Sequence, residues 1–219
     1  MFSYAGRTAK PVSQPLPTRI GGFGGVQGLA AYLQGEGVTH VVDATHPFAA
    51  QMSTNAVHAC KAAGVKLCAF ERPAWQAGKD DEWVCADSIE GAVDVLPDAP
   101  ARVFLAIGKQ NLAQFAAKPQ HHYLLRLVDE PGAGLPLPHT AIEIARGPFD
   151  AAGDTALMQR HGITHVVAKN AGGAGAAAKL IAARTLGLPV IMIGRPQVPE
   201  RPVMGSVAEV MAWLSHPAA

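Results

Sequence analysis

The sequence is poor in the features that announce many protein classes, and each shortage narrows what the chain can be. Charges of the two signs nearly cancel, with 18 Lys plus Arg against 17 Asp plus Glu. No basic surplus is therefore at hand to neutralise a nucleic-acid backbone or settle on an anionic bilayer, and neither partner is expected. Any anionic ligand has to be held by local groups. Cysteines number three, Cys60, Cys68 and Cys85, without CxxC spacing. That argues against a disulfide framework and an ordinary zinc site, so no metal is expected and the thiols suit a reducing compartment. No apolar run approaches the roughly 18 residues of a membrane helix, and no charged-then-apolar leader follows Met1. A cytoplasmic location is expected. No Ser/His/Asp or Cys/His set has convincing local spacing, which disfavours hydrolytic or covalent chemistry. None of Tyr4, Tyr32 and Tyr123 has a lysine four residues on, which counts against the commonest reductases of small carbonyl compounds.

What is present is hydrophobic content of 49% over 219 residues, ample for one large or two small domains. Short apolar runs alternate with helical spacings, the pattern of α/β units built on parallel sheets. The most informative run is residues 38–42, which stops abruptly in Asp43, Ala44, Thr45, His46 and Pro47. A β-rich run ending in small, hydroxyl and titratable residues reads as a buried parallel strand opening at its carboxyl end into a ligand crevice. The second half repeats the move: residues 163–167 end in Ala168, Lys169, Asn170, Ala171, Gly172 and Gly173 before an alanine-rich helix over 175–186. Two such strand ends imply two α/β units facing one site.

The remaining elements follow in order. Strands are expected at 2–5, 18–20, 65–70, 103–107, 123–128, 141–145 and 189–193. Helices are expected at 26–34, 49–63, 89–96, 151–161 and 206–213, with a further helix after Gly108 whose core positions are Leu112 and Phe115. The charged stretch 79–82 lies near a domain boundary, giving a first domain over 1–96 and a second over 97–219.

Several groups have both a functional and a plain structural reading. The run Gly21-Gly22-Phe23-Gly24-Gly25 either lets a ligand approach the backbone or is only a flexible turn, since it lacks the full GxGxxG context. Arg7 and Thr8, after the first strand, either hold a ribose 2′-phosphate or form an exposed loop. His46 is either a general acid or orienter, or a residue satisfied locally at a helix start. Lys169 and Asn170 either meet an anion or form a polar turn.

The motifs AGRT at 5–8, GGFGG at 21–25, DATHPFA at 43–49, MSxNA at 52–56, ERPAW at 71–75, GPF at 147–149 and KNAGG at 169–173 resemble, in this order and nearly end to end, the precorrin-6A reductase family of cobalamin biosynthesis. The resemblance implies two Rossmann-like parallel-sheet domains with the ligand cleft between them, the first binding NADPH. It implies reduction of one double bond of precorrin-6A to precorrin-6B, with cobalt-precorrin-6A as the neighbouring substrate, and leaves other corrin-pathway enzymes as further partners. It places Arg7, Thr8, Gly22, Gly24 and Thr45 at the cofactor and His46 and Lys169 at the reacting ends. Arg72, Arg126, Arg146, Asn170, Gly172 and Arg195 fall to the carboxylate-rich substrate. Family members usually begin with a strand and a GGTxEA-type turn, and this chain starts just after where that unit belongs; the first sheet is then expected to lack its central strand. If so, the alternative is a module that binds nucleotide or tetrapyrrole without turning it over.

Overall fold

The computed structural model describes residues 1–4, 15–131 and 134–215. In chain order its first elements are β1 (Phe2–Tyr4), β2 (Thr18–Ile20), α1 (Gly25–Gly35), β3 (His40–Asp43), α2 (Ala50–Ala63) and β4 (Lys66–Phe70). Next come β5 (Trp83–Ala86), α3 (Ile89–Val95), β6 (Arg102–Ala106), β7 (His122–Leu127), β8 (Thr140–Ile144) and α4 (Ala151–Arg160). The chain closes with β9 (His165–Lys169), α5 (Ala178–Thr185), β10 (Val190–Ile193), β11 (Val203–Met204) and α6 (Val207–Ser215). The fold is mixed α/β with parallel sheets, as the sequence pattern predicts.

The chain forms two compact units, Met1–Glu71 with Gln197–Ala219, and Arg72–Pro196. Residues 72–96, placed with the first domain from the sequence, group with the second unit. The reason lies in β5, which pairs in parallel with β10 and so belongs to the larger sheet. β5 is also a strand that sequence pattern misses: it is four residues long, at a sheet edge, and directly follows a charged stretch. β11 is missed for a similar reason, being two residues beside a proline.

In the first unit, β3, β4 and β11 form one parallel set and β1 and β2 another. α1 and α2 bury Leu29, Leu33, Ala56, Ala59 and Cys60 in a common core. α2 stops at Gly64, whose φ of 68° is the left-handed cap a residue with a side chain adopts at a cost. β3 is only half-buried along its first three residues, with Asp43 buried at its end. The strand expected there is parallel, pairing with β4, but it is buried only at its last residue.

In the second unit, six parallel strands run in the order β5-β10-β9-β6-β7-β8. The interior strand β10 reads VIMI and is buried at all four positions, because helices cover both faces of a parallel sheet. The edge strand β8 alternates exposed and half-buried residues instead. Met158 of α4, Leu180, Ala182 and Ala183 of α5, and Phe104, Val166 and Met192 of the sheet share one core. Ser88 and Asp150 cap α3 and α4 by accepting hydrogen bonds from the amides of Gly91 and Gly153. The helix expected after Gly108 is instead two short 3-10 turns, at Lys109–Asn111 and Ala113–Ala117. At the end of the second turn the Tyr123 hydroxyl donates to the Phe115 and Lys118 carbonyls, taking up acceptors that a longer helix would use. The helix expected from Gly175 starts at Ala178 behind a 3-10 turn, as glycine disfavours the helical first turn.

This packing makes a quantitative contrast. Met158→Ala removes a fully buried side chain and should cost about 2–5 kcal/mol. Met211→Ala, at 56% exposure, should cost less than about 0.5 kcal/mol. Urea unfolding followed by circular dichroism measures both, and equal costs would contradict the assignment of the core.

Candidate functional site

The expected site residues divide between the two units. Arg7 and Thr8 lie outside the described residues. Gly22, Gly24, Thr45 and His46 belong to the first unit, and all the others to the second.

In the first unit the GGFGG run forms the turn into α1. Gly21, Gly24 and Gly25 have φ of 123°, 79° and 85°, a backbone that other residues adopt only under strain. Nothing stands within 4 Å of where a Cβ would lie at Gly22 or Gly24, so the backbone there is open to close approach. Arg19, which sequence reasoning overlooked, fixes the turn. Its guanidinium donates to the carbonyls of Gly21 and Gly22, each at 2.6 Å, and lies 3.9 Å from the centre of the Phe23 ring.

At the end of β3, Asp43 Oδ1 accepts from the Thr45 amide at 3.1 Å and from its hydroxyl at 2.7 Å. Thr45 also lies 3.3 Å from the Ser53 hydroxyl, so its side chain is tied into the strand-to-helix turn. Arg201 comes in beside this turn, ion-paired with Glu71 and 4.0 Å from Asp43 Oδ2. His46 is exposed, and its Nδ1 accepts from the Phe48 amide at 3.2 Å. A ring nitrogen that accepts carries no proton, so the neutral imidazole bears its proton on Nε2.

In the second unit the structure joins two motifs about a hundred residues apart. Asn170 turns both ends of its amide to Trp75: Oδ1 accepts from the Trp75 amide at 2.8 Å, and Nδ2 donates to its carbonyl at 2.9 Å. The Trp75 indole donates to the Gly173 carbonyl at 2.9 Å. Arg195 closes the group, donating to the carbonyls of Asn170 at 3.0 Å and Arg72 at 2.6 Å. A Cβ on Gly172 would fall 2.2 Å from the Pro73 carbonyl oxygen, and one on Gly173 2.6 Å from the Arg72 side chain. Residues 72–75 and KNAGG are thus one packed object. Asn170, Gly172 and Arg195, expected at the substrate, are first of all its fasteners, and Arg72 rides on it.

The other cations differ in setting. Lys169, at the end of β9, donates to Asn111 Oδ1 at 2.7 Å, and burial pulls its ammonium below the usual lysine range. Arg146 is exposed, 3.7 Å from the equally exposed Asp129. Arg126 is largely buried. It pairs with Asp154 through both terminal guanidinium nitrogens, and its Cζ lies 3.6 Å from the centre of the Phe149 ring of the GPF motif.

Beside Arg126 sits Lys179, again overlooked from the sequence. Its signal was there: it shares a helix face with Ala182 and Ala183, a charged residue on the stripe that must face the core. It is 7% exposed, and burial first, then the Arg126 charge, push its pKa down to about 8, against an opposite pull from Asp154. Among the described residues no cluster of three or more His, Cys, Asp or Glu could hold a metal, and no helix is long and apolar enough to cross a membrane.

Comparison with known proteins adds to this geometry. The model of the precorrin-6x reductase CbiJ/CobK family matches residues 1–215. The chain is 66% identical over 215 residues to the precorrin-6A reductase of Rhodobacter capsulatus, with 98% of this chain and 86% of that protein covered. It is 45% identical over 215 residues to the precorrin-6A reductase of a Sinorhizobium species, covering 98% and 82%. The solved structure of a CobK precorrin-6A reductase is similar with a TM-score of 0.94 at 66% identity, over 98% of this chain and 85% of that one.

The fastened loops can be tested by one methyl group. Gly172→Ala meets both a φ of 69° and a backbone oxygen, and should destabilise the fold by about 2 kcal/mol or more. Gly175→Ala, with open space and an ordinary φ, should change it by less than about 0.5 kcal/mol. Thermal melts decide, and two equal variants would contradict the close approach.

Proposed function

The chain belongs to the precorrin-6x reductase family, and from that premise we propose that it reduces one double bond of precorrin-6A in cobalamin biosynthesis, with NADPH as the hydride donor. The observation that carries this is 66% identity to a precorrin-6A reductase over 98% of the chain. Chemistry agrees with it. Saturating a carbon–carbon bond takes a hydride and a proton; a nicotinamide supplies the hydride when bound, and the protein must bind, orient, exclude water and deliver the proton.

The first unit binds the nucleotide. Gly22 and Gly24 offer backbone amides with no side chain in the way, on a turn that Arg19 holds in shape. Arg7 and Thr8 take the 2′-phosphate, and Thr45 keeps the end of β3 shaped through Asp43. The second unit takes the carboxylate arms of the macrocycle with Arg72 and Arg146, while Arg126, paired with Asp154, stands behind them and Asn170, Gly172 and Arg195 act by holding the loops that carry the site. His46, with a proton on Nε2, and Lys169, with an ammonium held by Asn111, are the groups able to give a proton or steady developing charge.

Anaerobic incubation with precorrin-6A tests the whole: NADPH absorbance should fall as a product two hydrogens heavier appears. Tight binding of both ligands without oxidation would leave a binding module instead. Arg7→Ala should weaken NADPH by about 1.5–3 kcal/mol and leave NADH nearly unchanged, whereas equal losses would remove the 2′-phosphate assignment. His46→Ala and Lys169→Ala should each lower turnover by about a hundredfold at unchanged circular dichroism. Full activity in both would reduce these residues to a helix start and a polar turn.

A further inference from the structure

At the carboxyl ends of β6 and β7 the second unit has a cavity of about 160 Å³, lined by Gly108, Arg126, Phe149, Asp154, Ala178 and Lys179 among others. Its charges do not balance. Asp154 is 2% exposed and engages Arg126 through both oxygens, so those two neutralise each other. Lys179 stays over as a surplus positive charge. It donates to the Ala176 carbonyl at 2.6 Å and lies 4.8 Å from the centre of the Trp75 ring, yet it forms no ion pair among the described residues. A carbonyl uses one of the three ammonium donors, and neither it nor a ring face cancels a full charge.

An almost buried ammonium whose nearby carboxylate is already taken by an arginine is costly, and such groups collect where a ligand supplies the missing partner. The place is right as well, since ligands of parallel α/β sheets gather outside the carboxyl ends of the strands. The size limits the ligand. At about 30 Å³ per water the cavity holds roughly five waters, too little for a whole tetrapyrrole or nucleotide but enough for the end of a short acid chain.

We infer that this cavity is a carboxylate subsite, in which Lys179, backed by the Arg126–Asp154 pair, receives the end of one acetate or propionate arm of the macrocycle. The inference rests on the proposed function for the identity of the macrocycle, though not for the anion chemistry. Lys179 is the ligand-facing cation. Asp154 holds Arg126 in place, and Phe149 supports the guanidinium from beneath. A phosphate of the nucleotide has similar chemistry, and the test separates the two sources.

The test uses the full chain and two readouts. Lys179→Met keeps the length and apolar stem of the side chain and removes the charge. It should weaken precorrin-6A roughly tenfold or more, the equivalent of one charge-assisted hydrogen bond, and leave NADPH affinity within about twofold. Its melting temperature without ligand should hold or rise, because a buried unpaired charge is gone. An unchanged precorrin-6A affinity together with a lower melting temperature would mean a purely structural lysine and would overturn the subsite. A loss of NADPH affinity alone would assign the cation to a nucleotide phosphate and overturn it equally.

The second readout needs no variant. Propionate and precorrin-6A should each slow acylation of Lys179 in the wild-type chain, followed by peptide mass, while NADPH should not. If wild-type enzyme fails to turn over precorrin-6A but propionate still protects Lys179, the function falls and the anion site stands. Absence of protection by propionate removes the site.

Discussion

Asn170 closes both ends of its amide on the backbone of Trp75, and the carboxyl edge of the larger sheet depends on that clasp. The loop after β9 and the loop that enters β5 are otherwise unrelated pieces of chain. Two hydrogen bonds from one side chain, one from the Trp75 indole and those from Arg195 turn them into a single surface. Gly172 and Gly173 are the condition for it, since a Cβ at either position would collide with the opposing loop. Each bond is worth only about 1 kcal/mol net, and the group counts because several such bonds meet on two half-buried loops.

Around this edge the second unit carries more positive charge than its fold needs. The Arg126–Asp154 pair is self-contained, and replacing such a pair by apolar groups is often neutral or stabilising. Lys179 goes further, with an ammonium in a nearly closed setting against the Trp75 ring. Packing does not call for charge at this position, as Ala182 and Ala183 on the same face fill theirs with methyl groups. Recognition of an anion does. The first unit has the opposite character, with an open glycine turn, a strand end fixed by Asp43 and an exposed histidine.

Much of this was legible beforehand, and the exceptions have physical causes. Strands such as β9 and β10 announce themselves because burial on both faces demands an unbroken apolar run. β5 and β11 do not, since a short edge strand takes its pairing from a neighbour and needs little pattern of its own. The turns after Gly108 look helical because Leu112 and Phe115 are spaced for a helix, and the Tyr123 hydroxyl that takes the Phe115 and Lys118 carbonyls is invisible in local sequence. Among site residues, those ending a strand in a recognisable motif, such as His46 and Lys169, could be named from the sequence. The partnership of Asn170 with Trp75 could not, because 95 positions separate them. Nor could the pairing of Arg126 with Asp154, although Lys179 on an apolar stripe was a signal left unread.

The central claim is a division of labour: an open glycine turn in one unit for the nucleotide, and a fastened, cation-rich strand edge in the other for the acid arms. Hydrogen–deuterium exchange on the free protein and on each binary complex tests it most directly. With precorrin-6A, exchange should slow over residues 106–111 and 169–179, and with NADPH over residues 20–27 and 43–47. Protection of the glycine turn by the macrocycle, with residues 169–179 left unchanged, would contradict the account.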